Sequence, residues 1–555
     1  MPTKTSSRNG LKKWAALLVL LAVPVIAGAQ DSNNKKTSPP PQQRPATPPQ
    51  QRSATPAQQR PVPPPRQSSA TPTQRRPATQ QQKPATPAQQ KPVTTSQGPT
   101  PQRIDGNKLP VKPVTQIPPK LLSNKDSDHE IKNLNSGRQQ MSGVNRNELP
   151  KGQVTVHSDG RRTIADHNGR QFQLRADGTV SKISLKDGRA ATYRPDGSIS
   201  SVHVNGMEIR HSVRGGRMIV AEHPDHTRLV SMGPHYGYVE RPLTRNGHDY
   251  IQRTYSERGL TYARVYRTYV YNNVVYERYV PAHYYAPRFY GWAYYPWGTP
   301  VVYEWGWAAA PWYRYYGAYL APYPAYSNPD LWLTDSVLAA NLQRSYQQSL
   351  DAGALAGDSG LTQSGLATPI SPEIKNELAQ EVKQETSAEN AEAVSASNPQ
   401  QSPQSTPRPS VLDHQWKTFI VASNLETQTA DGTPCELTAG DILQLDAPVL
   451  DGASTAPLHV TFSKPLDCQG GQKVTLSIQS LEDMHNQFHA DYDAALQVLA
   501  SDQGKHGLPP SPPPNPYSSD APSDTRDSNV GTMLAQQEQQ ADQVEAQVQQ
   551  DGFRK

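Results

Sequence analysis

The sequence predicts a mainly β chain with long disordered segments, and three observations carry that expectation. Seven turn dipeptides recur at a near-constant spacing between Asp159 and Gly216. Twenty-two tyrosines crowd between Tyr236 and Tyr326, and the 54 prolines lie largely outside both stretches. Only 34% of the 555 residues are hydrophobic, and the mean hydropathy is −0.75. An ordinary globular chain runs to about 45–50% apolar when Gly is included, and the 36 Gly here leave this chain short of that. One continuous core over the whole length is excluded, because much of the chain cannot bury enough apolar surface to offset its conformational entropy.

Residues 1–29 read as a signal peptide. Lys4, Arg8, Lys12 and Lys13 precede an apolar run from Trp14 to Ile26, and Ala27-Gly28-Ala29 places small residues before Gln30. That order of charged, apolar and small regions marks secretion and cleavage. The run contains Pro24 and is short for a membrane span of about 20 residues. The expectation is a mature chain with no transmembrane span, in the periplasm, at the outer cell surface or outside the cell.

Residues 30–150 read as a disordered basic arm. Units such as Gln42-Gln43-Arg44-Pro45-Ala46-Thr47-Pro48 and Gln81-Gln82-Lys83-Pro84-Ala85-Thr86-Pro87 repeat without helical or strand period. Between 30 and 125, 15 Lys/Arg face 2 Asp/Glu, a net of +13. Pro removes backbone donors and favours extended geometry.

Residues 151–235 read as a β-hairpin repeat. Asp159-Gly160, Asn168-Gly169, Asp177-Gly178, Asp187-Gly188, Asp196-Gly197, Asn205-Gly206 and Gly215-Gly216 follow at spacings of 9, 9, 10, 9, 9 and 10. Short alternating runs lie between them, as in Val180–Leu185. Such dipeptides favour type I′ turns, with positive φ at both central residues, so a meander of hairpins is expected. Gly188-Arg189, Tyr193 and Asp196-Gly197, with Gly169-Arg170 and Asp177-Gly178, resemble the YD-repeat (RHS-type) arrays of bacterial surface and secreted proteins. The resemblance covers 151–220 alone and implies a β-sheet scaffold without catalysis.

Residues 236–332 form the Tyr/Trp-rich region. Its first half alternates through Tyr262, Arg264, Tyr266, Tyr269 and Tyr271, with a hairpin turn expected at Asn272-Asn273. Its second half mixes aromatics with Gly, Pro and Ala, and Tyr303-Glu304-Trp305-Gly306-Trp307 is similar to a short Tyr-x-Trp-Gly-x-Trp repeat of some bacterial secreted proteins. Tyr and Trp offer flat faces with polar edges, suited to stacking on sugar rings. Tyr290, Trp292, Trp297, Tyr303, Trp305, Trp307 and Trp312 are therefore the candidate binding residues, the alternative being that they fill a thin sheet stack.

Residues 333–410 read as helical segments and a linker, with Ser371-Pro372-Glu373 as a helix start. Residues 411–500 read as a small β domain. Its strands are expected at Lys417–Ser423, Asp441–Leu445, Leu458–Phe462 and Lys473–Gln479, and a helix runs from Ser480 to about Ala500. Leu437–Leu443 resembles the turn-then-strand of bacterial SH3-like small barrels. Cys435 and Cys468 are the only cysteines, and in an oxidising compartment they read as a disulfide. Closing a loop of about 33 residues is worth roughly 3–4 kcal/mol in the chain-entropy model. Residues 501–555 read as a disordered tail. From Leu333 onward, 29 Asp/Glu face 11 Lys/Arg, a net of −18.

The chemistry-bearing motifs are sparse. Gly357-Asp358-Ser359-Gly360 matches the nucleophile motif of chymotrypsin-like proteases but sits in a Gly/Ser/Ala stretch and is followed by Leu361-Thr362, where that family has Gly-Pro. His485 and His489 have the i, i+4 spacing of a metal pair. Leu481, Met484, Phe488, Tyr492 and Leu496 mark the buried face of the same helix, so the histidines are expected on a solvated side. His223, Asp225, His226 and His235 cluster in a loop. No catalytic set, metal site or cofactor site is expected. The expected function is a secreted bacterial cell-envelope protein, structural or adhesive and non-enzymatic, whose arm contacts an anionic cell-wall or surface polysaccharide and possibly other envelope proteins. Alternatives are a carbohydrate-binding module built on the Tyr/Trp region and, third, an envelope hydrolase. Secretion argues against a nucleic-acid partner.

Overall fold

Alternating apolar and polar residues between closely spaced turns build one antiparallel sheet of fourteen strands, in which each strand pairs with its neighbours in sequence. A computed structural model describes residues 119–140, 147–353, 368–397, 408–413, 416–519, 521–522 and 527–554. The expected signal peptide, the arm up to residue 118 and Gly357-Asp358-Ser359-Gly360 lie outside the described residues.

The sheet begins with β1 (Lys120–Leu121), followed by helix α1 (Asn124–Gln140), so the last part of the expected arm is ordered structure. The repeat strands are β2 (Gly152–Val156), β3 (Arg162–Asp166), β4 (Gln171–Leu174), β5 (Val180–Ser184), β6 (Ala190–Tyr193), β7 (Ile199–Val204), β8 (Met207–His211), β9 (Arg217–Glu222) and β10 (Arg228–Ser231). Four longer strands complete it, β11 (Tyr236–Arg245), β12 (His248–Glu257), β13 (Leu260–Tyr271) and β14 (Val274–Val280). Val154, Ile164, Phe172, Ile183, Ala191, Val202, Ile209 and Ile219 stand opposite one another in turn, one straight apolar row across eight strands. All eight are buried. Each large apolar side chain in the row contributes about 1.5–3 kcal/mol.

The turns between these strands correct the expected type. At Asp159-Gly160 the Gly160 amide donates to the His157 carbonyl and the His157 amide donates to the Arg161 carbonyl, and only the glycine has positive φ. This is a type I turn closed by a left-handed glycine, a three-residue loop. The same pattern holds at Gly169, Gly178, Gly188, Gly197 and Gly215. Where Asp precedes the glycine it accepts from the amide two residues on, as Asp177 does from Thr179 at 2.8 Å and Asp196 from Ser198 at 2.9 Å. The backbone N–H of Arg161 likewise holds the Asp159 carboxyl below its ordinary value. Type I′ turns occur instead between the long strands, at Asn246-Gly247, Arg258-Gly259 and the expected Asn272-Asn273, where both residues have positive φ. At Asn205-Gly206 the loop has two residues, but only Gly206 has positive φ.

Beyond β14 the chain forms β15 (His283–Tyr284), α2 (Pro287–Tyr294), α3 (Pro311–Tyr316), α4 (Pro329–Asp351) and α5 (Pro372–Ser397). Long strand pairing stops here because Pro recurs every few residues and withdraws ladder donors. α2, α3 and α4 each start on a Pro that suits the first helical turn. The small β region follows close to its expected positions, with β16 (Thr418–Ile420), β17 (Leu425–Gln428), β18 (Pro434–Leu437), β19 (Ile442–Leu445), β20 (Thr455–Phe462), β21 (Lys473–Ser477) and α6 (Ile478–Asp502). β16, β19, β20 and β21 form one antiparallel sheet, and β17 pairs β18. The Ser477 hydroxyl caps α6 by accepting from the Ser480 amide at 3.0 Å. Cys435 and Cys468 form the disulfide, tying β18 to the segment after β20. One hydrophobic core joins the aromatic stretch, the helices and this sheet, running through Tyr290, Trp332, Leu338, Val382, Leu443, Leu458 and Leu496.

The expected disordered tail is largely structured. After β22 (Tyr517–Ser518), which pairs with β15, residues Val530–Phe553 form helix α7 across the apolar row of the meander. Its buried stripe is Val530, Leu534, Gln537, Ala541 and Val548, and basic sheet residues grip its acidic sides. Arg217 meets Glu538 at 2.6 Å and Asp542 at 2.7 Å, Arg189 meets Asp551 at 2.8 Å, and His211 meets Glu545 at 2.6 Å. The buried Arg170 donates to the carbonyls of Asp551, Gly552 and Arg554, satisfying the helix C-terminus.

Helix side chains also occupy free backbone groups at both ends of the sheet. Ser127 of α1 accepts from the Val154 amide at 3.1 Å, and Asn486 of α6 accepts from the Tyr279 amide and donates to the Glu277 carbonyl, both at 2.8 Å. Such plugs block strand addition at an open edge.

Candidate functional site

Two faces of the meander have different fates. α7 covers the apolar face. The opposite face of β7 to β13 looks across at the end of α4, the loop 422–428 and the first turns of α6, leaving a cleft of about 1090 Å³.

Tyrosines and arginines build its sheet wall by cross-strand pairing. Tyr238 opposes Tyr255, and both line the cleft; Tyr262 backs Tyr255 from the next strand. Ring centroids lie 5.1 Å apart in the first pair and 5.0 Å, stacked, in the second. Arg253 lies 5.0 Å from the Tyr238 ring and 4.3 Å from that of Tyr266, and Arg264 lies over Tyr255 at 5.2 Å. Arg253 is held in turn by Glu240 at 2.9 Å and by Glu277. Burial pushes the Glu277 carboxyl up to about 7 against the pull of Arg253. Burial likewise pushes Tyr236 up to about 12. The rings are thus locked in place before any ligand arrives.

Most charges around the cleft are already engaged. Glu208 pairs with Arg210 at 2.8 Å, Glu538 with Arg217 at 2.6 Å, Glu426 with Arg194 at 3.0 Å and Asp351 with Arg258 at 3.1 Å. Glu436 is buried and accepts from the Ser212 hydroxyl at 2.8 Å. Two groups stand apart. Asp483 on α6 is exposed to the cleft and has no hydrogen bond or ion pair among the described residues. Partial enclosure raises its carboxyl above the ordinary value although Arg253 and Arg228 oppose this. Arg228 is 41% exposed and reaches Glu240 only at 3.7 Å.

The residues expected to bind from sequence lie elsewhere. Tyr290, Trp297 and Trp312 are buried, while Trp292, Tyr303, Trp305 and Trp307 are half-buried. Trp305 stacks on Trp307 at 4.1 Å and on Trp332 at 4.9 Å, with Tyr303 edge-on to Trp332 at 5.4 Å and Trp312 beside Trp307 at 5.8 Å. Trp292 packs on Trp297 at 5.6 Å. The Trp305 indole donates to the Tyr326 hydroxyl at 2.6 Å, and Tyr326 donates to the buried Asp335 at 2.8 Å. None of the seven lines the cleft.

The histidine pair is also a correction. His485 and His489 are buried, because α5 lays Glu385 and Glu389 against the side of α6 expected to be solvated. His489 lies 3.2 Å from Glu385 and 3.4 Å from Glu389. Burial opposes its charge, but the two carboxylates outweigh burial and push it up to about 9. The same histidines hold Glu385 low despite burial, whereas burial raises Glu389, which accepts from the Tyr290 hydroxyl at 2.6 Å. Among the described residues no group of three or more His, Cys, Asp or Glu is placed to hold a metal, and no helix is long and apolar enough to cross a membrane.

No family model, curated protein or solved structure matches the chain. The cleft is hidden in the sequence because its walls come from segments that lie far apart along the chain (β7 to β13, α4, the loop 422–428 and α6). Of the Tyr/Arg alternation Tyr262, Arg264 and Tyr266, only Tyr266 lines it.

Proposed function

We propose that this chain is a secreted cell-envelope protein with an adhesive, non-enzymatic role, and that its cleft holds a cell-wall or surface polysaccharide. The observation that supports the cleft as the binding site is its rigid tyrosine wall facing the exposed Asp483, which has no side-chain partner among the described residues, and the part-exposed Arg228. Aromatic faces favour sugar rings through apolar contact, and polar edges take their hydroxyls. In this reading the arm before residue 119 adds non-specific attraction to anionic polymer. Export is proposed from the charged, apolar and small regions of segment 1–29.

A second reading places saccharide binding on Tyr290, Trp292, Trp297, Tyr303, Trp305, Trp307 and Trp312. The half-exposed edges of Trp292, Tyr303, Trp305 and Trp307 favour it.

The test is a pull-down on isolated cell wall with the mature chain, a chain lacking residues 31–118, and Tyr238→Ala. Screening shortens from about 10 Å at 0.1 M salt to about 3 Å at 1 M. Binding by the arm should vanish at high salt, and the remainder should vanish in Tyr238→Ala, compared at a temperature where its circular dichroism shows it folded. Salt-insensitive binding untouched by Tyr238→Ala rejects the cleft and favours the second reading.

A further inference from the structure

We propose that Lys464 and Asp441 condense into an isopeptide bond, with Asp467 carrying the proton, so that the small β region is covalently cross-linked by its own side chains. This is an autocatalytic modification site, independent of the cleft.

The chain around them positions all three groups. Gly440, with φ of 90°, turns the backbone after β18 so that Asp441 leads into β19, and Lys464 and Asp467 follow β20, which pairs with β19. The Lys464 side chain is 3% exposed, and those of Asp441 and Asp467 are fully enclosed. Lys464 Nζ lies 2.6 Å from Asp441 Oδ1 and 3.6 Å from Asp467 Oδ2. It also donates to the Ala439 carbonyl at 2.9 Å. The Thr438 amide donates to Asp441 Oδ2 at 2.8 Å, and Arg214 holds Asp467 Oδ1 at 2.7 Å. An amine, a carboxyl group and a second carboxyl group therefore meet away from solvent, each with its orientation fixed. A buried ion pair keeps two charges where desolvation penalises both, and a neutral amide removes them.

The reaction begins with a proton passing from Nζ to Asp441. Burial and the Asp467 charge push the Asp441 carboxyl up to about 7 against the pull of Lys464, so its acid form is accessible near neutral pH. Burial opposes the Lys464 charge, but the two carboxylates outweigh it, so the neutral amine forms only as the proton moves across. The nitrogen lone pair then attacks Cγ of Asp441 and the C–N bond forms. Asp467 accepts a proton from the nitrogen and delivers it to the departing hydroxyl, and the C–O bond breaks with release of water. Ammonium plus carboxylate become amide plus one water, so charge and atoms balance without a further reactant. The Thr438 amide stabilises the oxygen on which negative charge develops. Fixed contact supplies the high effective concentration that such a condensation needs.

A second buried pair provides the comparison. Lys375 Nζ lies 2.6 Å from Asp335 Oδ1, while the Tyr326 hydroxyl and the Tyr323 amide donate to Asp335 Oδ2. Among the described residues no second carboxylate lies within ion-pair distance of Lys375, so this pair lacks a proton carrier and stays ionic. The Cys435–Cys468 disulfide joins the same two stretches as Asp441 and Lys464, so the amide keeps them tied when the disulfide is reduced.

The experiment is peptide mapping by mass spectrometry on the mature full chain, reduced and alkylated. Chymotrypsin cuts between the two partners, after Leu445 and Phe462. The bond should therefore appear as one branched peptide holding Asp441 and Lys464, lighter by one water than its two parts. Water lost at an Asp-Gly turn through a succinimide joins no peptides, so it is told apart. Asp467→Asn should abolish the branched peptide in protein whose circular dichroism shows it folded, and the peptides of Asp335 and Lys375 should be unlinked. Unlinked peptides of full mass around Asp441 and Lys464 in the unmutated chain overturn the proposal, whether or not the variant folds. A branched peptide that persists in folded Asp467→Asn, or that joins Asp335 to Lys375, overturns the role given to Asp467.

Discussion

Between Gly152 and Ser231 each strand pairs with the next in sequence, whereas from Tyr276 to Leu508 the chain is joined across about a hundred residues or more. Tyr279 meets Asn486, Asn341 meets Asp491, and Tyr290 meets Glu389. The first region repeats one local solution, a short strand and a glycine-closed turn. The second is assembled from aromatic, helical and disulfide-linked pieces that make sense only together. Among the described residues the repeat has no second sheet for its apolar row; α1 lies over its first strand, and α7, far along the chain, covers much of the rest. The aromatic body carries its own cover. Local pairing forms quickly and independently of the rest, while the body must close long loops first.

The difference shows most visibly if the borrowed helix is removed. Deleting residues 530–555 uncovers the row from about Phe172 to Ile219, while α1 stays over its first strand, so the meander should lose cooperative unfolding and expose apolar surface, read by dye binding and calorimetry. The core around Trp332 and the disulfide should survive as a separate transition. A single unchanged transition would show that α7 is dispensable. Single truncations come next. Trp332→Ala should cost about 3–5 kcal/mol and Ile209→Ala about 2–5 kcal/mol in denaturant unfolding. The first should act on the body and the second on the meander, and equal effects on both would mean the two regions unfold as one.

How much of this was legible follows the same divide. The dipeptide spacing placed the repeat strands, and the Cys435–Cys468 pair and the strands after Lys417 were readable from local pattern. The same dipeptides misled on turn type, because Asp-Gly serves a three-residue loop as well as a two-residue one. Counting residues between the alternating positions separates the two. α7 carried a usable signal in Val530, Leu534, Gln537, Ala541, Val544 and Val548, spaced 4, 3, 4, 3 and 4 apart, but its Gln-rich composition hid the stripe. The cleft and the burial of His485 and His489 were not legible, since helical period identifies one buried face and α5 supplies a second from afar.

The buried histidine separates the two regions by pH. His489 is raised to about 9, so its ion-pair contribution is fully present below the ordinary value near 6.5 and is lost as pH rises through about 9. The body should lose roughly 3 kcal/mol across that rise, while the meander, with no such buried histidine pair among its described residues, holds. His489→Gln should flatten the profile, and an identical alkaline decline in that variant would place the cause elsewhere. The smallest effect lies within the repeat. At the β9–β10 turn the left-handed position is His226, with φ of 62°, where the other three-residue loops have glycine. His226→Gly should stabilise the meander by about 1 kcal/mol, and no gain would show that this turn is not strained.

Whether the cleft holds a glycan is read most plainly by hydrogen–deuterium exchange of the mature chain with and without soluble cell-wall fragments. Protection should appear in three stretches that meet only in the cleft (234–238, 422–428 and 480–487) and leave Tyr290–Trp312 unchanged. Protection confined to Tyr290–Trp312, or none in any stretch, would contradict it.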